Sequence, residues 1–284
     1  MISSPALDKP GSRAMIELEE VHKRFNAGTI NEIYALRGVN LVIGEGQFVT
    51  VIGTNGSGKS TFLNMAAGTI LPDTGTVRIA GEDMTRKKDY ERARSMARVF
   101  QNPFMGTAPD MTIAENLLLA YLRGERRYPR FGLNAKRLEF FKERVKELEM
   151  QLEDRLDALI GTLSGGQRQA LSLLMAVIKE PKVLLLDEHT AALDPKSAAQ
   201  VIKLTKTFVE RGKLTTLMVT HSMQQALELG DRTIMMHQGQ IIDDIPKAEK
   251  ERLTVDDLLD KFADLRKTEK LTDEIIEQLR REYV

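Results

Sequence analysis

The 284-residue chain contains no cysteine. Disulfides and thiolate metal sites are therefore excluded, while the redox compartment stays open. An excess of charge of one sign is missing too, since 41 Lys and Arg balance 41 Asp and Glu. A net charge of zero gives no global drive toward nucleic acid or anionic lipid, so no nucleic-acid partner is expected. Long hydrophobic runs are absent as well, and none approaches the ~20 apolar residues that span a bilayer. The stretch from Met1 to Gly11 holds Pro5, Asp8 and Pro10 around no apolar core, and does not read as a signal peptide. The expectation is a cytosolic protein whose membrane role, if any, comes through a partner. What remains is ordinary for a globular chain: 42% hydrophobic and 29% charged residues, long enough for a packed core.

Against that plain background one stretch stands out, Gly53-Thr54-Asn55-Gly56-Ser57-Gly58-Lys59-Ser60-Thr61. The apolar run Phe48 to Ile52 before it reads as a buried strand, and Phe62 to Ala67 after it reads as a helix. A glycine-rich turn between strand and helix lets backbone N–H groups converge on an anion, with the helix N-terminus adding positive potential. The spacing G-x-x-x-x-G-K-S is that of the P-loop. Lys59 reaches the outer phosphates and the Ser60 hydroxyl is placed to hold Mg²⁺. A nucleoside triphosphate is the expected ligand.

Residues 1–13, rich in Ser and Pro, read as a disordered tail. Met15 to Val21 reads as an edge strand and Leu36 to Ile43 as its neighbour, so an antiparallel layer precedes the P-loop. Phe25, on the rim of that layer, could stack on a purine, with Tyr34 as the competing aromatic. Thr76 to Ile79 and Val99-Phe100 read as further strands, and residues 82–98 as partly helical. From Thr112 to about Leu163 the pattern turns helical, over Asn116–Leu122 and Ala135–Leu152. Arg123, Arg126, Arg127 and Arg130 beside Tyr128 and Pro129 read as a solvated loop, with a partner contact as the alternative.

Ser164 followed by Gln167 is a capping-box pattern opening a helix that is apolar nearly all round. Gly165 and Gly166 weaken that first turn, which makes sense where something approaches the backbone closely, as a phosphate would. Val183 to Leu186 is a buried strand ending in Asp187-Glu188. Adjacent carboxylates at the C-terminal end of a parallel strand suit a metal and catalytic site. Asp187 can orient Mg²⁺ and Glu188 can polarise an attacking water. Asp194-Pro195 starts another helix. His221 follows the strand Thr215 to Thr220, and Thr233–His237 and Gln240–Ile242 form a closing hairpin. Thr254 and Thr272 cap two short C-terminal helices, with Leu253/Leu258 and Leu271/Ile276 as their staples.

From Ile16 to Ile242 the order of these elements resembles the nucleotide-binding subunit of an ATP-binding cassette (ABC) transporter. Gly53 to Thr61 is similar to the Walker A loop, Gln101 to the Q-loop glutamine, and Leu163 to Gln167 to the LSGGQ signature. Val183 to Asp187 resembles Walker B, with Glu188 as catalytic glutamate, Ala192 to Asp194 as D-loop and His221 as switch histidine. Phe25 falls at the adenine-stacking position. One departure is His189, which stands where most members have proline.

The resemblance implies an α/β P-loop core with a mostly parallel sheet, an N-terminal antiparallel layer and a helical subdomain at about 102–163. The cassette would span 14–245, and 246–284 would be a helical extension. It further implies ATP and Mg²⁺ as cofactors. Phe25, Gly53, Asn55, Gly56, Ser57, Gly58, Lys59, Ser60 and Thr61 would bind ATP from one side. Ser164, Gly165, Gly166, Gln167 and Asp194 of a second copy would close on it. Ser60, Gln101 and Asp187 would serve the metal, and Glu188, His221 and Gln101 hydrolysis. A transmembrane permease would be the partner, with an extracytoplasmic solute-binding protein if the system imports a small, amino-acid-like solute. An exporter, a lipoprotein-release ATPase or a soluble iron–sulfur-assembly ATPase are the alternatives.

Overall fold

The computed structural model describes residues 13–125 and 132–267. They fall into two compact units, one of residues up to Arg86 together with those from Leu217 on, the other Lys87–Thr216. The first unit opens with β1 (Ala14–Phe25), β2 (Ile33–Gly44), β3 (Phe48–Gly53), α1 (Lys59–Ala67), β4 (Thr74–Ile79) and β5 (Glu82–Asp83). The second contains α2 (Asp89–Arg92), β6 (Met96–Val99), α3 (Ile113–Tyr121), α4 (Ala135–Lys146), α5 (Gly165–Val177), β7 (Val183–Asp187) and α6 (Pro195–Gly212). The chain passes back to the first unit within β8 (Thr215–Val219). It ends there with α7 (Met223–Glu228), β9 (Arg232–His237), β10 (Gln240–Pro246), α8 (Lys247–Lys250) and α9 (Val255–Lys267).

In the first unit, alternating apolar residues build an antiparallel sheet in the order β2-β1-β4-β5. β1 therefore lies inside this sheet, paired on both sides, and not at its edge as its sequence suggests. Alternation alone cannot tell an edge strand from an inner one, because both bury one face. The second set of strands in this unit runs β10-β9-β3, with the end of β8 beside β3. β3 and β9 are parallel, and all six residues of β3 are buried. Each Val or Ile buried there stabilises the fold by roughly 1.5–3 kcal/mol. Thr50, the one polar residue of the run, bonds Thr233 Oγ1 at 2.8 Å, so its burial is compensated.

α9 packs its apolar face under that sheet. Leu258 and Phe262 join Ile52, Met223, Ala226, Met235 and Ile245 in one buried cluster. Thr254 starts the helix by accepting a bond from Asp257 N at 3.3 Å, with Leu253 against the same cluster. The tail before Arg13, the arginines at 126, 127 and 130 with Tyr128 and Pro129, and the Thr272 helix lie outside the described residues.

In the second unit β6 and β7 are parallel, in register from Met96↔Val183 to Val99↔Leu186. Their C-terminal ends are level, which brings the residues after Val99 next to those after Leu186. β6 stops one residue earlier than expected, before Phe100, and α4 ends at Lys146, short of Leu152. Residues 82–98 contain a single helical turn, α2, and the charged surface there carries no longer periodicity. α5 begins in the expected capping box: Ser164 Oγ accepts from Gln167 N at 3.3 Å, and Gln167 Oε1 accepts from Ser164 N at 3.2 Å.

Candidate nucleotide-binding site

The Gly53–Thr61 loop joins β3 to α1 in the first unit. Its glycines are dictated by crowding and backbone angle. A Cβ on Gly53 would sit 2.3 Å from Met236 O, and one on Gly58 would sit 2.5 Å from Ala35 O. Gly58 also has φ of +98°, a left-handed conformation that L side chains rarely adopt. As the N-cap of α1 it offers no side chain to the first-turn amides, which are the groups an anion would take. Lys59 is only 5% exposed, and its ammonium is held at the loop by Gly53 O at 2.6 Å and Thr54 O at 3.1 Å. Asn55, Gly56 and Ser60 are exposed, Thr61 is half-buried, and Ser57 Oγ is buried without a hydrogen-bond partner among the described residues.

In the same unit, His221 lies two residues past the end of β8, which stops at Val219, one residue short of the expected Thr220. Thr220 N donates to Val51 O at 3.1 Å, tying the end of that strand to the strand of the P-loop. Ser222 then caps α7 by accepting from Gln225 N at 3.2 Å. Phe25, half-buried at the end of β1, has the Lys23 ammonium 5.7 Å from its ring centroid. Tyr34 is differently engaged: the Arg24 and Arg37 guanidinium carbons lie 4.3 and 5.2 Å from its ring centroid, and His22 stacks beside it.

The remaining predicted residues are in the second unit. Val183 to Leu186 are buried, and the chain surfaces at half-exposed Asp187 and Glu188. Glu188 has φ of +43°, a strained setting for a residue with a side chain and one that functional sites tolerate. Gln101 is exposed just past the end of β6. Asp194 caps α6, accepting from Ser197 N at 3.1 Å, and its hydrogen bonds from Ser197 hold its carboxyl below the usual range. Ser164 and Gly165 are exposed at the start of α5.

The ABC transporter family model matches residues 36–191, more than half of the chain. The chain belongs to the ABC transporter family. The tyrosine transport ATP-binding protein of Clostridioides difficile (strain R20291) is 43% identical over 255 residues, covering 87% of this chain and 98% of that protein. The spermidine/putrescine import ATP-binding protein PotA of Haemophilus influenzae (strain 86-028NP) is 35% identical, covering 84% of this chain and 59% of that protein. Among solved structures, the dimeric post-hydrolysis state of the ATP-binding cassette MJ0796 bound to ADP and Pi matches with a TM-score of 0.70. Its identity is 31%, over 82% of this chain and 99% of that one. The fold is thus that of ABC ATPase cassettes, and this chain is an ATPase, the ATP-binding subunit of a transporter.

For this ABC subunit the structure adds residues that the motifs do not name. Gln169, fully buried on α5, uses its Nε2 to bond Phe100 O at 3.0 Å and His189 O at 2.7 Å. One carboxamide thus ties the backbone just before Gln101 to the backbone just after Glu188. Arg98 pairs with Asp187, Nη2 to Oδ2 at 2.5 Å. His237 Nδ1 lies 3.3 Å from Thr54 Oγ1 at the P-loop. Each is a side chain reaching across strands, and no spacing within one segment signals such contacts.

Gly166 has a packing reason in addition to the one its sequence suggests. A Cβ there would meet Ser197 Oγ at 2.4 Å, so the start of α6 in the same chain is what approaches it. Gly165 is open, with its nearest neighbour at 3.8 Å. His189, in the usual proline position, is fully buried with Nε2 3.0 Å from Thr205 Oγ1. Burial lowers its pKa to about 4, so the ring is neutral near pH 7 and acts as packing.

Proposed function

We propose that this subunit powers an importer of a small, amino-acid-like solute, with tyrosine as the first candidate. The observation that carries this reading is the 43% identity to the tyrosine transport protein, which runs over 98% of that relative's length. The solved MJ0796 cassette structure is described as dimeric, which supports a working unit of two copies. Two copies would meet head to tail around ATP. The amides of Gly53 to Gly58, with Lys59, Ser60 and Thr61, would hold the phosphates, Asn55 and Ser57 lying within that loop. Ser164, Gly165, Gly166, Gln167 and Asp194 of the second copy would close over them. Phe25 is preferred over Tyr34 for the adenine, because His22 stacks on Tyr34 and two guanidinium groups lie at its ring, whereas Phe25 carries one ammonium at 5.7 Å.

The residues present fit a Mg²⁺ ion that arrives with the nucleotide. Among the described residues no three His, Asp or Glu side chains cluster as a metal cage. Such an ion would take most ligands from phosphate and water, as Mg²⁺ commonly does. Ser60 Oγ is exposed beside the cradle, and Asp187 and Gln101 would complete its surroundings. The ion would neutralise charge on the outer phosphates. Glu188 would polarise the attacking water, and His221 and Gln101 would support hydrolysis.

Among the described residues no helix is long and apolar enough to cross a membrane. A permease partner would hold the subunit at the cytoplasmic face. A groove of about 1170 Å³ in the second unit suits such a partner. Arg94, Arg123 and Arg137 line it, and so do the exposed Leu119 and Met105. An extracytoplasmic solute-binding protein would complete the importer.

The test is uptake of labelled tyrosine by cells lacking this chain. Uptake should fall to background and return with the wild-type chain but not with Glu188→Gln. Undiminished uptake of tyrosine and of other amino acids would refute the importer reading.

A further inference from the structure

Arg98 has no part in the mechanism above, yet it holds the carboxylate that the mechanism assigns to the cation. It stands on β6 opposite Leu185, two residues short of Asp187, and its side chain reaches forward to the strand end. Both partners are largely withdrawn from water, with side chains 14% and 17% exposed. The guanidinium carbon also lies 4.6 Å from the ring centroid of Phe100, the residue just before Gln101. A desolvated ion pair adds little net stability over apolar packing of the same volume. Its position at the end of β7 therefore calls for another account.

We infer that Arg98 is a positioning residue that reserves Asp187 for a divalent cation entering with the triphosphate. This rests on the assignment of Asp187 to that cation. The guanidinium is always charged and cannot step aside by losing a proton. It orients one carboxylate oxygen and repels a second cation approaching the same group. A metal ion alone meets that repulsion unaided. One bound to a triphosphate arrives with its charge more than balanced.

The test uses Mn²⁺, titrated by EPR against the full-length protein without nucleotide. Arg98→Gln should bind Mn²⁺ about five- to tenfold more tightly than wild type, as expected for removing one positive charge beside a partly screened site. Arg98→Lys, which keeps the charge, should stay within about twofold of wild type. In an Asp187→Asn background, removing Arg98 should change nothing. Thermal melts establish that each variant is folded. If Arg98→Gln is not, Arg98→Met, with its apolar stem against Phe100, carries the same comparison. Unchanged or weaker Mn²⁺ binding in the neutral variant overturns the inference, and so does an equal gain without Asp187. A separate measurement addresses the underlying assignment, the Mg²⁺ concentration for half-maximal ATPase in Asp187→Asn. If that requirement is unchanged the assignment falls. If it rises while Arg98→Gln gains no Mn²⁺ affinity, only the role of Arg98 falls.

Discussion

Around Lys59 the positions are fixed by backbone, and around Glu188 they are fixed by side chains. Gly53 and Gly58 leave no room for a Cβ, and the ammonium of Lys59 rests on two carbonyls of its own loop. The 187–194 segment is held otherwise. Gln169 grips the His189 carbonyl from α5, Arg98 grips Asp187 from β6, and Asp194 caps α6. A backbone cradle tolerates only the few residue types that fit its angles, which is why it forms a compact motif. A side-chain scaffold spreads its determinants over distant segments, and its key members carry no local signature.

The largest effect should separate chemistry from binding. Glu188→Gln keeps the shape and the left-handed backbone of residue 188 but removes the carboxylate. Turnover should drop by about 10²–10⁴-fold, the scale of a lost general base, with ATP affinity by calorimetry unchanged. Residual hydrolysis within a few-fold of wild type would show that another group polarises the water. Glu188→Gly sharpens the contrast. It should be equally inactive yet melt no lower than wild type, because glycine relieves the strain at φ +43°.

Ser164→Asp comes next, since it asks whether the signature serine is more than a cap. Asp caps helices about as well as Ser, so the Gln167 N–H stays satisfied and the melting temperature should hold. Against the γ-phosphate of a second copy the carboxylate would cost several kcal/mol by like-charge contact. ATP-dependent dimerisation on size exclusion should be lost, and turnover should fall about 100-fold. Mixing Ser164→Asp with Lys59→Ala protein should restore part of the activity, because one shared site is then intact on both sides. Normal dimerisation by Ser164→Asp alone would rule out the shared site.

Gly58→Ala probes the cradle itself. The added methyl meets Ala35 O and a positive φ at once, so a loss of about 1–3 kcal/mol in stability is expected from denaturant melts. Gly165→Ala should be nearly silent in the same assay beyond its helix propensity, since its nearest neighbour is 3.8 Å away. Equal losses at both positions would contradict the crowding account.

These contrasts mark what was legible in the sequence. The P-loop, the strand ending in Asp187-Glu188 and the Ser164 capping box each announce themselves within ten residues, because local geometry demands particular residue types. β1 sits inside its sheet and not at the edge its sequence suggests, because pairing partners lie outside the segment that is read. Gly166 reads as a place where a ligand nears the backbone, and the crowding of its Cβ position by the start of α6 is a second reason for glycine that no local pattern shows. Gln169, Arg98 and His237 went unnoticed because their meaning depends on which strands lie side by side.

The smallest effect concerns Lys250, which sequence gives no reason to single out. The residue is 3% exposed, and its ammonium caps the end of α7 by donating to Leu229 O and Gly230 O. Burial lowers its pKa to about 8, against a partial counter-effect from Asp231, while the unfolded chain keeps a value near 10.5. Between those two values the unfolded state binds more protons than the folded one. The stability contributed by this group must therefore rise with pH across that window and be absent below it. Lys250→Met keeps the stem and removes the titration. The difference in melting temperature, wild type minus variant, should grow by about 2–5 °C from pH 7.5 to 10. Other titrating groups are common to both proteins and cancel in that difference. A flat difference would mean that the lysine reaches water in the folded state, and a falling one that its charge is held by carboxylates more strongly than burial opposes it.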